Sequence, residues 1–221
     1  RRSHLVSTSN MKNNDLKLYP APEGAESSPD FTVTVNGQTV FVHAQVGFAG
    51  GTVAFASFDF HGEATISITA HWNADSAEVH PLSSGIESVL ENNTLTFTIS
   101  EPGNLFVKWD GYFDLPVYIF ANPMEDETVL HDSEGVRYIG PGIHELGDLE
   151  LKSDETLYVA GGAIVYATIF ASEAENVRVK GRGIICTSHV PFKAHEGGRE
   201  HAVGFDRCRN VEVEGVTLLD S

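Results

Sequence analysis

The strongest constraint on this chain is a repeat in its second half. Three segments share one pattern: Thr156–Val165 (TLYVAGGAIV), Asn176–Ile185 (NVRVKGRGII) and Asn210–Leu219 (NVEVEGVTLL). Each has a polar first residue, apolar residues at the second and fourth places, Gly at the sixth and an aliphatic pair at the ninth and tenth. The first two segments start 20 residues apart and the last two 34, so an insertion separates the last pair. Alternation is the period of a strand, and glycine permits a bend that a Cβ hinders. A period of about 20 with two short strands and a Gly bend suits a parallel β-solenoid. Val177/Val179 and Val211/Val213 then point into the lumen. Arg178/Lys180 face Glu212/Glu214 across neighbouring strands on a solvated face, and Asn176 and Asn210 stack as a ladder at one corner. The competing reading is an ordinary mixed sheet.

The first half has a different texture. Phe31, Val33 and Val35 alternate with threonines, then Asn36-Gly37 precedes Thr39–Val42. An Asn-Gly pair between β-branched runs is the strongest short hairpin signal, because both residues tolerate positive φ. Further strands are expected over 53–60, 64–70, 95–99, 105–109 and 117–120, broken by Gly, Pro and Asn clusters. No segment sustains a helical period. About seven short strands with regular turns read as an antiparallel sandwich. The expected organisation is an arm and linker over 1–29, a β-sandwich over 30–125, and the start of a parallel β-helix over 126–221. The acidic, aperiodic stretch from Pro123 to Glu134 marks the boundary.

Charge narrows the partners. Thirty-one acids against 14 bases leave a net −17, which argues against nucleic acid or an anionic membrane surface as partner. No apolar run approaches the ~18 residues that span a bilayer. Cys186 and Cys208 make no disulfide framework; two small buried thiols is the plain reading, with a single bridge left open. Low cysteine and a large acid surplus fit a bacterial secreted or periplasmic protein.

Three stretches carry a resemblance: Val136-Arg-Tyr-Ile-Gly-Pro-Gly-Ile-His144, the two repeats that follow it, and Phe205–Ser221. They resemble the opening coils of polygalacturonase-like right-handed β-helix enzymes (glycoside hydrolase family 28 and its pectin-lyase-like relatives). The first half, with Val35-Asn-Gly-Gln-Thr-Val40, Phe58-Asp-Phe60 and Phe120-Ala-Asn-Pro123, is similar to the small β domain that precedes the helix in some bacterial members. Dextranase-type enzymes share that two-part plan. The resemblance implies an all-β fold: an N-terminal antiparallel β-sandwich followed by the first coils of a right-handed parallel β-helix. It also implies a parent that hydrolyses glycosidic bonds with Asp acid/base groups on later coils. The family's Asn-Thr-Asp, Asp-Asp and Gly-His-Gly segments do not occur, and Gly183-Ile-Ile-Cys-Thr187 stands where many relatives read Gly-x-Ile-Asp-Gly. No catalytic residue is therefore carried over, and no cofactor or metal is expected.

The substrate-contact candidates are His195, Arg199 and His201 in the insertion and Asp220 at the end of the last repeat. A loop added at a solenoid corner often lines the binding face. The alternative for this stretch is a plain surface loop. A zinc site from His195, Glu196, Glu200 and His201 lacks the usual His-Glu-x-x-His spacing. Trp72, Trp109, Tyr112 and Phe113 read as core or interdomain packing before a sugar platform. The other histidines, His43 and His189 among them, read as structural or exposed.

A solenoid leaves raw strand edges at its ends. The first half can cap one; the other invites self-association or further coils. The chain is thus expected to be the N-terminal part of a polysaccharide-degrading glycoside hydrolase, inactive by itself, with a polysaccharide or oligosaccharide as partner. The alternatives are a non-catalytic carbohydrate-binding or adhesive module and a structural β-solenoid such as a fibre or tailspike part.

Overall fold

A computed structural model describes residues 15–46, 52–110, 112–125, 133–190 and 201–219, without the side chains of residues 45, 46, 52 and 112–114. The described residues are all-β, with one short 3-10 turn at Leu82–Ser84. The first half holds β1 (Asp15–Leu18), β2 (Phe31–Val35), β3 (Gln38–Val40), β4 (His43–Val46), β5 (Thr52–His61), β6 (Ala64–Ala70), β7 (Ala77–His80), β8 (Ser88–Glu91), β9 (Thr94–Ile99), β10 (Gly103–Trp109) and β11 (Tyr112–Pro123). The second half holds β12 (Val136–Ile139), β13 (Gly142–Glu150), β14 (Thr156–Val159), β15 (Ala163–Ser172), β16 (Glu175–Gly181), β17 (Ile184–Cys186), β18 (Val203–Asp206), β19 (Arg209–Glu214) and β20 (Thr217–Leu219).

Two sheets form in the first half. One runs β3-β2-β6-β9-β8 and is antiparallel throughout. The other runs β1-β5-β11-β10-β7 with β4 on β5, and is not purely antiparallel, because β11 and β5 lie parallel. Their inner faces share one core, with Val33, Ile66 and Ile68 from the first sheet and Phe58, Val107 and Ile119 from the second at 0% exposure. Trp109 lies in this core and Trp72 packs against it, which settles both as packing residues. The Asn36-Gly37 hairpin is present: Val35 pairs with Gln38 across the two residues, at φ 48° and 76°, the left-handed pair of a type I′ turn. Strand β1 lies inside the stretch expected as arm and linker. Its Leu16 and Leu18 pack on the core while it pairs along β5.

The second half has two sheets whose pairings are all parallel, β12-β14-β16-β19 and β13-β15-β17-β20 with β18 on β15. The chain passes alternately between them, so each pass stacks on the one before. Leu157, Val165, Ile169, Val177, Val179 and Ile185, all at 0% exposure, fill the space between the sheets. The expected register holds along the first strand of the last two repeats, where Val177 meets Val211 and Val179 meets Val213, but runs one residue short along the second, where Ile185 meets Leu218. Between the first two it holds along the second strand, where Ile164 meets Ile184 and Val165 meets Ile185, and fails along the first. Leu157 meets Val179 and Val159 meets Gly181, an offset two residues longer than the repeat suggested. A slip of two keeps every side chain on its face, so the inward residues stay inward. The sixth-place glycines of these two repeats do different jobs. Gly181 takes φ 127° directly over the Val159 carbonyl, whereas Gly161 lacks a positive φ and is small because the Tyr19 ring packs on its Cα. Each pass also has more strand than two short pieces. β13 and β15 both continue past the column that pairs with β17, and the far end of β15 pairs with β18.

The corner ladder is present and longer than expected. Asn210 Nδ2 donates to Asn176 Oδ1 at 2.7 Å, and Asn176 Nδ2 donates to Asp154 Oδ1 at 2.7 Å. All three residues sit in the left-handed region, with φ between 52° and 64°, a conformation Asn and Asp tolerate best among residues with a Cβ. Outside, Lys180 lies 3.3 Å from Glu212 and 2.9 Å from Glu214, and Arg178 lies 3.4 Å from Glu212. At β19 and β20 the inward row is bare: Val211, Val213 and Leu218 are 38–44% exposed, while Val177, Val179 and Ile185 beneath them are fully buried.

Candidate functional site between the two halves

The halves meet through faces turned away from their own cores. Along β5, Ala54, Ala56, Phe58 and Phe60 point inward, which turns Phe55, Ser57 and Asp59 outward. Phe55 packs with Ile164 and Ile184 from the outer face of the parallel sheet, flanked by Tyr118 and Phe120. Outward positions of the parallel sheet form columns across successive passes: Ile143, Ile164, Ile184 and Thr217 in one, Tyr166, Cys186 and Leu219, with Glu145 leading, in the next.

A buried polar node locks the junction. Asp59, at 0% exposure, accepts from the Tyr19 hydroxyl and from Arg182 Nε, each at 2.8 Å. Arg182 also donates through Nη2 to the Pro123 carbonyl at 2.9 Å and through Nη1 to that of Gly181 at 3.2 Å, and Nη1 lies 3.6 Å from Glu125. Glu125 in turn accepts from the Tyr158 hydroxyl at 2.7 Å. Burial works against the charge on Arg182, but the hydrogen bond and charge of Asp59, with Glu125 behind it, outweigh burial and hold the guanidinium pKa above its ordinary value. Burial and the Asp59 carboxylate push the Tyr19 hydroxyl up. This node is satisfied on every side and positions rather than reacts.

Beside it a cleft of about 380 Å³ opens between the halves. Its floor is Phe55, Ile164 and Ile184, and its rim carries Glu26, Glu145, Tyr166, Ser188 and His189. The His189 ring lies on the Tyr166 ring with centroids 3.6 Å apart and planes 8° from parallel. Its Nδ1 sits 2.8 Å from Glu145 Oε1, so the carboxylate accepts from the ring and fixes its tilt. Burial, then the neighbouring Cys186, Glu145 and Glu26, raise the Tyr166 pKa, which keeps the phenol neutral. His43 stacks on Phe55 at 4.9 Å in the back wall; burial lowers its pKa to about 4, so it is a neutral ring at pH 7. Cys186 is buried with Sγ 3.1 Å from the Ser188 hydroxyl; Cys186 and Cys208 are both free thiols, so no bridge joins them.

Of the residues expected to contact substrate, His201 is exposed just before the fully buried Ala202 and does not line the cleft. His195, Arg199 and Asp220 lie outside the described residues, as do the zinc candidates Glu196 and Glu200. The side chains of Tyr112 and Phe113 are also outside the description. The cleft residues escaped sequence reading because only stacking brings Glu145, Tyr166 and His189 together. One signal was available: Tyr166 follows the aliphatic pair of its repeat at a position whose parity points outward.

No protein-family model matches the chain, and no curated protein matches it in sequence. Among solved structures, Dex49A from Penicillium minioluteum superimposes with a TM-score of 0.72 at 12% identity, over 91% of this chain. This chain spans 55% of that chain's length. The likeness is one of fold: an all-β chain with parallel sheets, like that of a β-helix glycoside hydrolase.

Proposed function

We propose that this chain is the N-terminal part of a secreted polysaccharide-degrading glycoside hydrolase. In this reading, residues 30–125 are a β-sandwich and residues 126–221 are the first coils of a right-handed parallel β-helix. The observation that carries the proposal is the fold likeness to Dex49A, a dextranase, at a TM-score of 0.72 over 91% of this chain. Family 28 membership has no such support. The bare inward row of Val211, Val213 and Leu218 fits a stack continued by further coils.

Glycoside hydrolysis needs two carboxylates flanking the scissile bond. At the junction Asp59 and Glu125 pair with Arg182, and Glu145 contacts His189. In this reading the acid/base pair belongs to later coils of the whole protein. The test is the reading frame beyond Ser221 together with reducing-sugar release by its product. Further strands with clustered aspartates and cleavage of a neutral glucan are expected. A stop codon directly after Ser221, or turnover by the 221-residue chain itself, overturns the proposal. A stop codon there instead favours the second reading, a non-catalytic carbohydrate-binding module, for which the polar-rimmed cleft is the supporting feature.

A further inference from the structure

The geometry points to the cleft between the halves as a binding site for a neutral sugar unit of an oligosaccharide, held by the His189–Tyr166 stack and Glu145. This deepens the carbohydrate-binding reading of the same cleft and is independent of the hydrolase reading, since it does not depend on where, or whether, the chain cleaves glycan.

Three observations converge. First, the size of the cleft, about 380 Å³, lies in the range of small-molecule sites, and such sites favour domain junctions. Second, its surface is divided. Phe55, Ile164 and Ile184 offer an apolar floor, while Glu145, Glu26 and Ser188 stand at the rim. A pyranose has the same division, with an apolar C–H face and an equatorial belt of hydroxyls. An ionised carboxylate accepts two or more hydrogen bonds, so Glu145 can keep the His189 contact and still take a hydroxyl. Third, the aromatic surface is already ordered. Tyr166 supports His189 from below and Glu145 holds it from the side, so little rotamer entropy remains to be lost on binding.

Charge selects among ligands. Among the described residues that line the cleft are Glu26 and Glu145 and no Lys or Arg. A uronate, a phosphate or a sulfated sugar meets two carboxylates there and no cation among the described residues, whereas a neutral sugar brings only donors and acceptors. The net charge of −17 acts in the same direction at longer range.

The test is a titration of the 221-residue chain with neutral trisaccharides (isomaltotriose, cellotriose, xylotriose), trigalacturonate and spermidine, followed by saturation-transfer NMR and calorimetry. Saturable binding of at least one neutral trisaccharide is expected, with no saturable binding of trigalacturonate. Glu145→Gln and His189→Ala, both at half-exposed side chains, should each weaken that binding at least tenfold with unchanged circular dichroism. Arg137→Ala, remote from the cleft lining, should leave it unchanged. Failure of all three neutral sugars to bind overturns the inference, as does binding that survives both cleft variants. Preferential binding of trigalacturonate overturns it too, and so does displacement of the sugar by spermidine, which would make the site one for cations. None of these outcomes touches the hydrolase proposal, which stands or falls on the reading frame beyond Ser221.

Discussion

Arg182→Ala removes the cation from a carboxylate that has no access to water. Asp59 is at 0% exposure, and after the substitution the Tyr19 hydroxyl, at 2.8 Å, is the side-chain donor left to it among the described residues. Breaking a buried ion pair from one side costs about 3–5 kcal/mol, because the remaining charge stays buried without compensation. The reverse change, Asp59→Ala, is milder. Arg182 keeps two backbone carbonyls and Glu125, 3.6 Å from Nη1, so its loss falls at the low end of that range, about 3 kcal/mol. Replacing both with apolar residues of similar volume, Asp59→Leu with Arg182→Met, returns stability to within about 2 kcal/mol of the parent. Urea unfolding is the assay, read by tryptophan fluorescence and by far-UV circular dichroism. Trp72 and Trp109 both belong to the first half, so fluorescence reports that half alone. With a slope of about 2–3 kcal/mol/M, the Arg182 variant shifts the midpoint down by about 1–2.5 M. It should also pull the fluorescence and dichroism transitions apart, because the node ties β5 of one half to the β16–β17 turn of the other. A single-variant loss below about 1 kcal/mol refutes the reasoning about uncompensated buried charge. So does a double variant as damaged as the sum of the singles.

Other predictions follow from the same geometry. Gly181→Ala places a Cβ at φ 127° against the Val159 carbonyl, so it costs more than the about 1–3 kcal/mol of backbone strain alone; a melting temperature equal to the parent's counts against the close approach. His43 has a folded pKa of about 4, below the unfolded value of about 6.5. Above pH 6.5 its ring is neutral in both states and stability is full. As pH falls toward 4 the unfolded chain takes the proton first, and about 2–3 kcal/mol is lost across that window. His43→Phe should flatten that part of the stability profile, and an unchanged slope argues against the buried neutral ring. At the corner, Asn176→Ala loses two ladder hydrogen bonds and puts Ala at φ 56°, a cost of about 1–3 kcal/mol, whereas Asn176→Gly keeps the conformation at ease and should cost less. Equal melting temperatures for the two variants would show that the left-handed backbone carries no penalty.

What was legible in the sequence is what repeats over two to four residues. Alternation at Val177/Val179 and Val211/Val213 told which side chains face inward, because the side-chain period of a strand is two. Asn36-Gly37 told where a hairpin turns, and Asn176 and Asn210 told where a ladder stands, because so few residues accept a left-handed backbone. These are statements about one strand, one turn or one corner, and they survived a two-residue offset along the first strand of one repeat pair and a one-residue offset along the second strand of the next. Only the tertiary structure decided that Gly161 yields to the Tyr19 ring while Gly181 yields to the Val159 carbonyl. It alone showed that Asp59 and Arg182, 123 positions apart, form one buried pair, and that Glu145, Tyr166 and His189 share a cleft rim. The local pattern assigns Asp59 and Tyr166 to an outward face; whether that face meets water or another sheet depends on how the two halves dock. Docking is set by shape and charge matched over a whole surface, and no periodicity within a single element records it.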